Sequence, residues 1–119
     1  MARTEITAQA RPSSNPVAAT TLTMTSLNND GDGYKVKSDG TLAFVVHNNG
    51  VTGSATFTVS SKAVPGWQNR TGDVTATLAT GAQAVLLVPS MGFNDDGYIN
   101  FEVGGTGADD IDVAILKNM

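Results

Sequence analysis

The sequence predicts an all-β fold, an antiparallel β-sandwich or jelly-roll-like barrel of about eight or nine short strands with little helix. Three observations carry this expectation. Apolar residues alternate with period two in short runs rich in Val, Ile, Thr and Phe, the pattern of half-buried strands. Gly, Asn and Asp clusters separate those runs at intervals of roughly ten residues, the spacing of a sandwich or barrel. No window of helical length holds a 3.6-residue period over a Gly-free stretch.

The chain opens with a weak strand, TEITAQA, followed by QARPSSNPVAA at residues 9–19, whose two prolines disfavour ladder pairing. Residues 1–19 therefore read as an N-terminal strand and Pro-containing extended arm, and residues 20–119 as a single β-sandwich domain. TTLTMT around Leu22 and YKVK from Tyr34 are two further weak runs. In TLAFVVHN, residues 41–48, Leu42, Phe44 and Val46 face one side and Ala43, Val45 and His47 the other, so both faces read as largely covered. SATFTVS differs: Ala55, Phe57 and Val59 alternate with Ser54, Thr56, Thr58 and Ser60, leaving a hydroxylated face for water or a partner. The same alternation places Val74, Ala76 and Leu78 inward, then Ile99, Phe101 and Val103, then Ile111, Val113 and Ile115. Between two of these strands, AVPGWQNRTG at residues 63–72 carries the only tryptophan on a turn-rich loop. Trp67 there either plugs the end of the sandwich or anchors an interface beside Arg70.

Composition narrows the function. A chain of 119 residues is one ordinary domain, able to bury roughly two-thirds of its unfolded surface. Its formal charge of −4 and seven scattered basic residues argue against nucleic-acid binding, which needs clustered Lys and Arg. No apolar run is longer than that of Ala84 to Val88, which is too short to cross a bilayer, so no membrane partner is expected. Arg3 and Glu5 stand where a secretory signal places its apolar segment, and the expectation is an unsecreted protein made in a cytoplasm. Absence of cysteine removes disulfides, thiolate catalysis and Cys-ligated zinc, and fits a reducing compartment.

Two stretches imitate metal sites. NNDGDGYKVKSD, Asn28 to Asp39, approximates the oxygen spacing of an EF-hand with Gly33 at the sixth position. Its flanks are strand-like, Lys35 replaces the usual apolar eighth residue, and Asp39 stands where a bidentate Glu belongs. Two Asp-Gly turns around a short strand explain the stretch better. GGTGADDID, Gly104 to Asp112, matches one repeat of a calcium-binding β-roll, but such sites need a neighbouring repeat. A Gly-rich hairpin loop before the last strand is the expectation there. No metal and no cofactor are expected at either place.

Catalytic chemistry is equally sparse. His47 is the only histidine, on a strand, and reads as structural. The pairs Asp95-Asp96 and Asp109-Asp110 are sequence neighbours that point apart on turns, and no nucleophile elbow or phosphate loop occurs. The sequon Asn69-Arg70-Thr71 has no secretion signal to make it meaningful. No catalytic residues are expected, and the chain reads as a non-enzyme.

The order of the turns in DGYKVKSDGTLAFVVHNNG, DVTATLATGAQAVLLVP and FNDDGYINFEVGGTGADDIDVAILK, preceded by MARTEITAQARPSSNP, resembles small tailed-bacteriophage head proteins of the decoration, cement or head-stabilisation type. The resemblance covers nearly the whole chain and rests on turn spacing, not on a catalytic motif. It implies an all-β virion protein on the outer capsid surface, bridging neighbouring major capsid proteins, often as a homotrimer. No family binding residue carries over by position. From the residues themselves, Arg3, Glu5 and Ile6 in the arm and Trp67 and Arg70 on the loop are the candidate partner contacts. An acidic domain also suits the side of a shell facing away from packaged DNA. Two other readings are a carbohydrate- or receptor-binding sandwich, stacking sugars on Trp67, Tyr34 and Tyr98, and a ring-forming tail or head-completion subunit.

Overall fold

A computed structural model describes residues 3–10, 22–27, 33–38, 40–61, 73–89 and 93–117. Its strands are β1 (Thr4–Glu5), β2 (Gln9–Ala10), β3 (Thr25–Leu27), β4 (Tyr34–Lys37), β5 (Leu42–Asn48), β6 (Ala55–Val59), β7 (Val74–Leu78), β8 (Gln83–Val88), β9 (Asn94–Asp95), β10 (Tyr98–Gly104) and β11 (Ile111–Lys117). The single helical element among the described residues is a 3-10 turn at Ala108–Asp110.

The strands form two sheets. One runs β1-β4-β10-β6-β7, with β9 paired to β10; the other runs β2-β11-β5-β8, with β3 sharing the β11 edge. Apart from the two-residue pieces, the sheets are therefore β4-β10-β6-β7 and β3-β11-β5-β8. Successive strands cross between sheets at every connection except β6 to β7, among these eight. That interleaving is the jelly-roll arrangement of two Greek keys.

The alternation read from the sequence sets the core. Leu42, Phe44 and Val46 of β5 and Ile111, Val113 and Ile115 of β11 face Val36, Phe57, Val59, Ile99 and Phe101 of the opposite sheet, all essentially without exposure. Phe44 reaches across the layer to Phe57 and Phe101, with ring centroids 5.8 and 5.3 Å away. The Phe44–Phe101 pair meets edge to face, the arrangement favoured by the ring quadrupole. Tyr34 stacks on Phe101 from its own sheet at 5.6 Å.

Among the described residues, one polar side chain other than the Tyr34 phenol lies inside this core. Asn48, at the end of β5, has no exposed surface. Its Nδ2 donates to the carbonyls of Gly53 at 2.9 Å and Leu78 at 3.0 Å, while its Oδ1 accepts from the Gly50 amide at 3.2 Å. Asn48 thereby ties the β5–β6 loop to the end of β7. Its main chain also takes part in the β7–β8 turn, donating to Ala82 and accepting from Gly81. Gly107 packs against the Gly53 carbonyl so closely that a Cβ would collide with it. The three loops at this end of the sandwich are thus joined through groups that only Asn and Gly supply without strain.

The structure differs from the sequence reading in three places. TEITAQA is two strands in two sheets, because the chain leaves β4 and crosses to β11 between Glu5 and Gln9. The strand expected around Leu22 begins only at Thr25. The Gly-rich segment after Gly104 is not a hairpin loop; it carries the chain from β10 in one sheet to β11 in the other, turning through the 3-10 element. Alternation reveals which side of a strand is buried but not which sheet the strand joins.

Replacing Asn48 by Ala orphans two buried carbonyls and an amide, and is expected to cost about 3 kcal/mol in urea unfolding. Val51→Ser on the neighbouring loop, where Val51 is 95% exposed, is expected to stay within about 0.5 kcal/mol of the parent.

Candidate interaction surface

The two outer faces of the sandwich differ in chemistry. On the β4-β10-β6-β7 sheet, the outward side chains are Lys35 and Lys37, Tyr98, Asn100 and Glu102, Thr56 and Thr58, and Thr75 and Thr77. Lys35 lies over the Tyr98 ring, its ammonium 4.3 Å from the centroid, a cation–π contact. This is a solvated face.

The outer face of the other sheet is apolar over most of its width. Strand register lines up Leu116, Ala43 and Leu87 in one row, and Ala114, Val45 and Val85 in the next. Only the third row, Asp112, His47 and Gln83, is polar. Val85 and Leu87 are 65% and 63% exposed. At the opposite end of the same sheet, Leu22 and Met24, just ahead of β3, are also exposed. Four of the five exposed large apolar residues among those described thus flank one sheet, the fifth being Val51 at a loop tip. In the two apolar rows Leu116, Ala43 and Ala114 are buried and Val45 is half-buried, so the exposed apolar surface lies at the two edges of the sheet, Val85 and Leu87 on one and Leu22 and Met24 on the other.

The candidate contact residues of the N-terminus are engaged within the molecule. Thr4 donates to Gly33 at 3.2 Å and Ile6 to Lys35 at 2.8 Å, docking the segment along β4 in parallel. Arg3 holds it there, with Nη1 donating to the carbonyls of Tyr34 and Phe101, both at 3.3 Å, and Nη2 pairing with Glu102 at 3.1 Å. Gly33 leaves room for the guanidinium, which a side chain at that position would overlap. Ile6 packs against the core as the chain crosses between sheets, and Gln9 and Ala10 then pair in parallel with Leu116 and Lys117. Glu5 is exposed and, with Ile6, Thr7, Ala8, Lys37 and Lys117, lines a cleft of about 120 Å³ at the crossing. Residues 3–10 thus cover an edge of each sheet of their own domain. Trp67 and Arg70 lie outside the described residues, as do residues 11–21.

Of the aromatics considered for sugar stacking, Tyr34 is 3% exposed. It is turned inward because Tyr34 and Val36 share the core-facing phase of β4, so it is not available to a sugar. Tyr98 is half-buried beneath Lys35.

In the EF-hand-like stretch, Asn28 to Asp32 and Asp39 lie outside the described residues. Gly33 and Gly40 have φ of 79° and 71° on either side of β4, as turns of that kind require. In the β-roll-like stretch, the Asp112 carboxylate accepts from the Ser26 hydroxyl at 3.0 Å, the Asp110 carbonyl accepts from the Asn49 amide at 2.8 Å, and the Asp110 carboxylate packs on Gly50. Among the described residues no group of three or more His, Asp or Glu side chains is placed to hold a metal ion.

The apolar band was partly legible as the uncharged run Ala84 to Val88 and as the covered second face of β5. What sequence reading missed is that these two strands are neighbours, which adds their outward residues into one surface. No family model, curated protein or solved structure matches the chain.

Arg3→Ala removes the anchor of the N-terminal strand. It is expected to cost about 1 kcal/mol, since most of its effect lies in the two carbonyl contacts and little in the exposed ion pair. Amide exchange at Thr4 and Ile6 is expected to accelerate at least tenfold while that of Phe44 stays slow; unchanged protection at Thr4 and Ile6 would show that Arg3 does not hold the segment.

Proposed function

We propose that the chain is a structural virion protein, a decoration or cement protein that binds the outer surface of an assembled phage capsid and stabilises it by bridging neighbouring major capsid proteins. The observation that carries this reading is the exposed apolar pairs at the two edges of one sheet, Val85 and Leu87 on β8 and Leu22 and Met24 ahead of β3, flanking an outer face whose apolar rows bear no charge. Exposed apolar edges of this kind suit a surface that is covered by protein. The resemblance of the turn series to phage head proteins supports a capsid as that assembly, and the formal charge of −4 suits the side of the shell away from DNA.

The mechanism is mass action on a lattice. A ligand that binds assembled shell, and not its separated subunits, stabilises the shell by its binding free energy at each site. Many copies, each touching two or more capsid subunits, gain further from effective concentration, since releasing one contact leaves the others in place. No bond is made or broken in this role, and no cofactor enters it.

Co-sedimentation of the purified chain with assembled capsids of the phage that encodes it tests the reading. Saturable binding at a fixed ratio to the capsid protein, together with a raised capsid melting temperature, is the expected result. Failure to sediment with either expanded or unexpanded capsids would overturn it, and binding to a glycan array instead would favour a carbohydrate-binding domain.

A further inference from the structure

Among the described residues the apolar sheet has β8 at one edge and β3, alongside β2, at the other, and the β8 and β3 strands match each other. Among the described residues β8 pairs only with β5, and β3 only with β11. An open strand edge presents unpaired main-chain donors and acceptors, and natural proteins usually guard it with Lys, Pro or a bulge. Neither β8 nor β3 carries such a guard within the strand, although Pro89 directly follows β8 and β2 shares the β3 side. Gln83 to Val88 contains no charged residue and no proline, nor does Leu22 to Leu27. The edges of the other sheet do carry charge, with Asp73 just before β7 and Glu5 within β1 beside Arg3 and Glu102.

Strand direction makes the two edges compatible. β3, β11, β5 and β8 alternate in direction, each antiparallel to the next. β8 therefore runs opposite to β3, and a second copy placed beside the first by rotation about an axis along the strands would set its β3 antiparallel to β8, continuing the sheet. Antiparallel continuation is the more favourable ladder. It would bring Val85 and Leu87 of one copy toward Leu22 and Met24 of the next. Two copies of an acidic chain meet there with no like charges opposed, which is not true of the edges bearing Glu5 or Asp73.

We propose that the chain assembles with itself head to tail, the β8 edge of one copy docking on the β3 edge of the next through Val85 and Leu87 against Leu22 and Met24. This rests on the reading of the chain as an assembly subunit and names the surfaces it uses. A β8-to-β8 dimer is the competing arrangement, and it leaves Leu22 and Met24 uncovered. A head-to-tail contact that closes makes a ring, and a ring needs three or more copies, because two would make the contact isologous.

The test is a complementation experiment on the full chain, read by light-scattering mass. The parent is expected at three or more times its 12.2 kDa. Val85→Glu and Met24→Glu each place a charge at one edge only, and each variant alone is expected at 12.2 kDa with an unchanged circular dichroism spectrum. Mixed in equal amounts, the variants retain one intact edge apiece and are expected to form a species of twice the monomer mass. A monomeric parent overturns the proposal, as does an assembly lost with Val85→Glu but kept with Met24→Glu, or a mixture that stays monomeric. If Val85→Glu proves unfolded, Leu87→Glu replaces it. Because the masses are measured without capsids, a failure here leaves the co-sedimentation result to judge the capsid reading separately.

Discussion

The contact on which the fold depends is Phe44 against Phe57 and Phe101, where the two sheets meet at ring separations of 5.8 and 5.3 Å. Each ring is on a central strand of its sheet, and each is without exposure. Fixing them fixes the phase of β5, β6 and β10, and with that phase every outward residue of those strands is determined as well. Ala43 and Val45 point outward because Phe44 points inward. The apolar outer band is thus a consequence of the core register combined with a sequence that keeps apolar residues at outward positions too. Such positions in a sheet with a solvated face are ordinarily polar, as Thr56, Thr58, Thr75 and Thr77 are on the opposite sheet.

A second constraint governs the ends. A jelly roll must pass the chain from sheet to sheet repeatedly, and each passage exposes backbone groups that the ladders do not satisfy. At the Asn48 end the solution is a buried amide that serves three loop groups at once. At the opposite edge the N-terminal segment leaves β4 for β11, and Arg3 caps main-chain carbonyls as it starts. Residues that looked free to reach a partner are instead part of the closure of their own domain. Within residues 3–10, the side left open to a partner carries Thr4, Glu5 and Thr7.

Strand alternation was legible wherever apolar and polar residues took turns, as in Ala55 to Val59 and Ile99 to Val103. It was weaker for β8, where Ala84 to Val88 is apolar throughout and its exposed side looks like its buried one. Two-residue strands such as β1, β2 and β9 carry no period of their own; their conformation is imposed by β4, β11 and β10. Tyr34 misled for a related reason, since an aromatic residue beside an Asp-Gly turn invites a surface role until the phase of Val36 is counted. Sheet membership was not legible at all at Gly104 to Asp112, because a crossing and a hairpin use the same turn residues. Nor was Asn48 distinguishable from its neighbour Asn49, although one is buried and the other exposed.

A cryo-electron microscopy reconstruction of the phage particle, with and without this chain, tests the central claim most directly: that a jelly-roll domain with exposed apolar edges on one sheet serves as an outer capsid clamp. Added density on the outer surface, fitted by the two-sheet domain with the β8 and β3 edges buried between copies, is the result that this reading requires. Identical maps, or density confined to the inner surface or the tail, would contradict it.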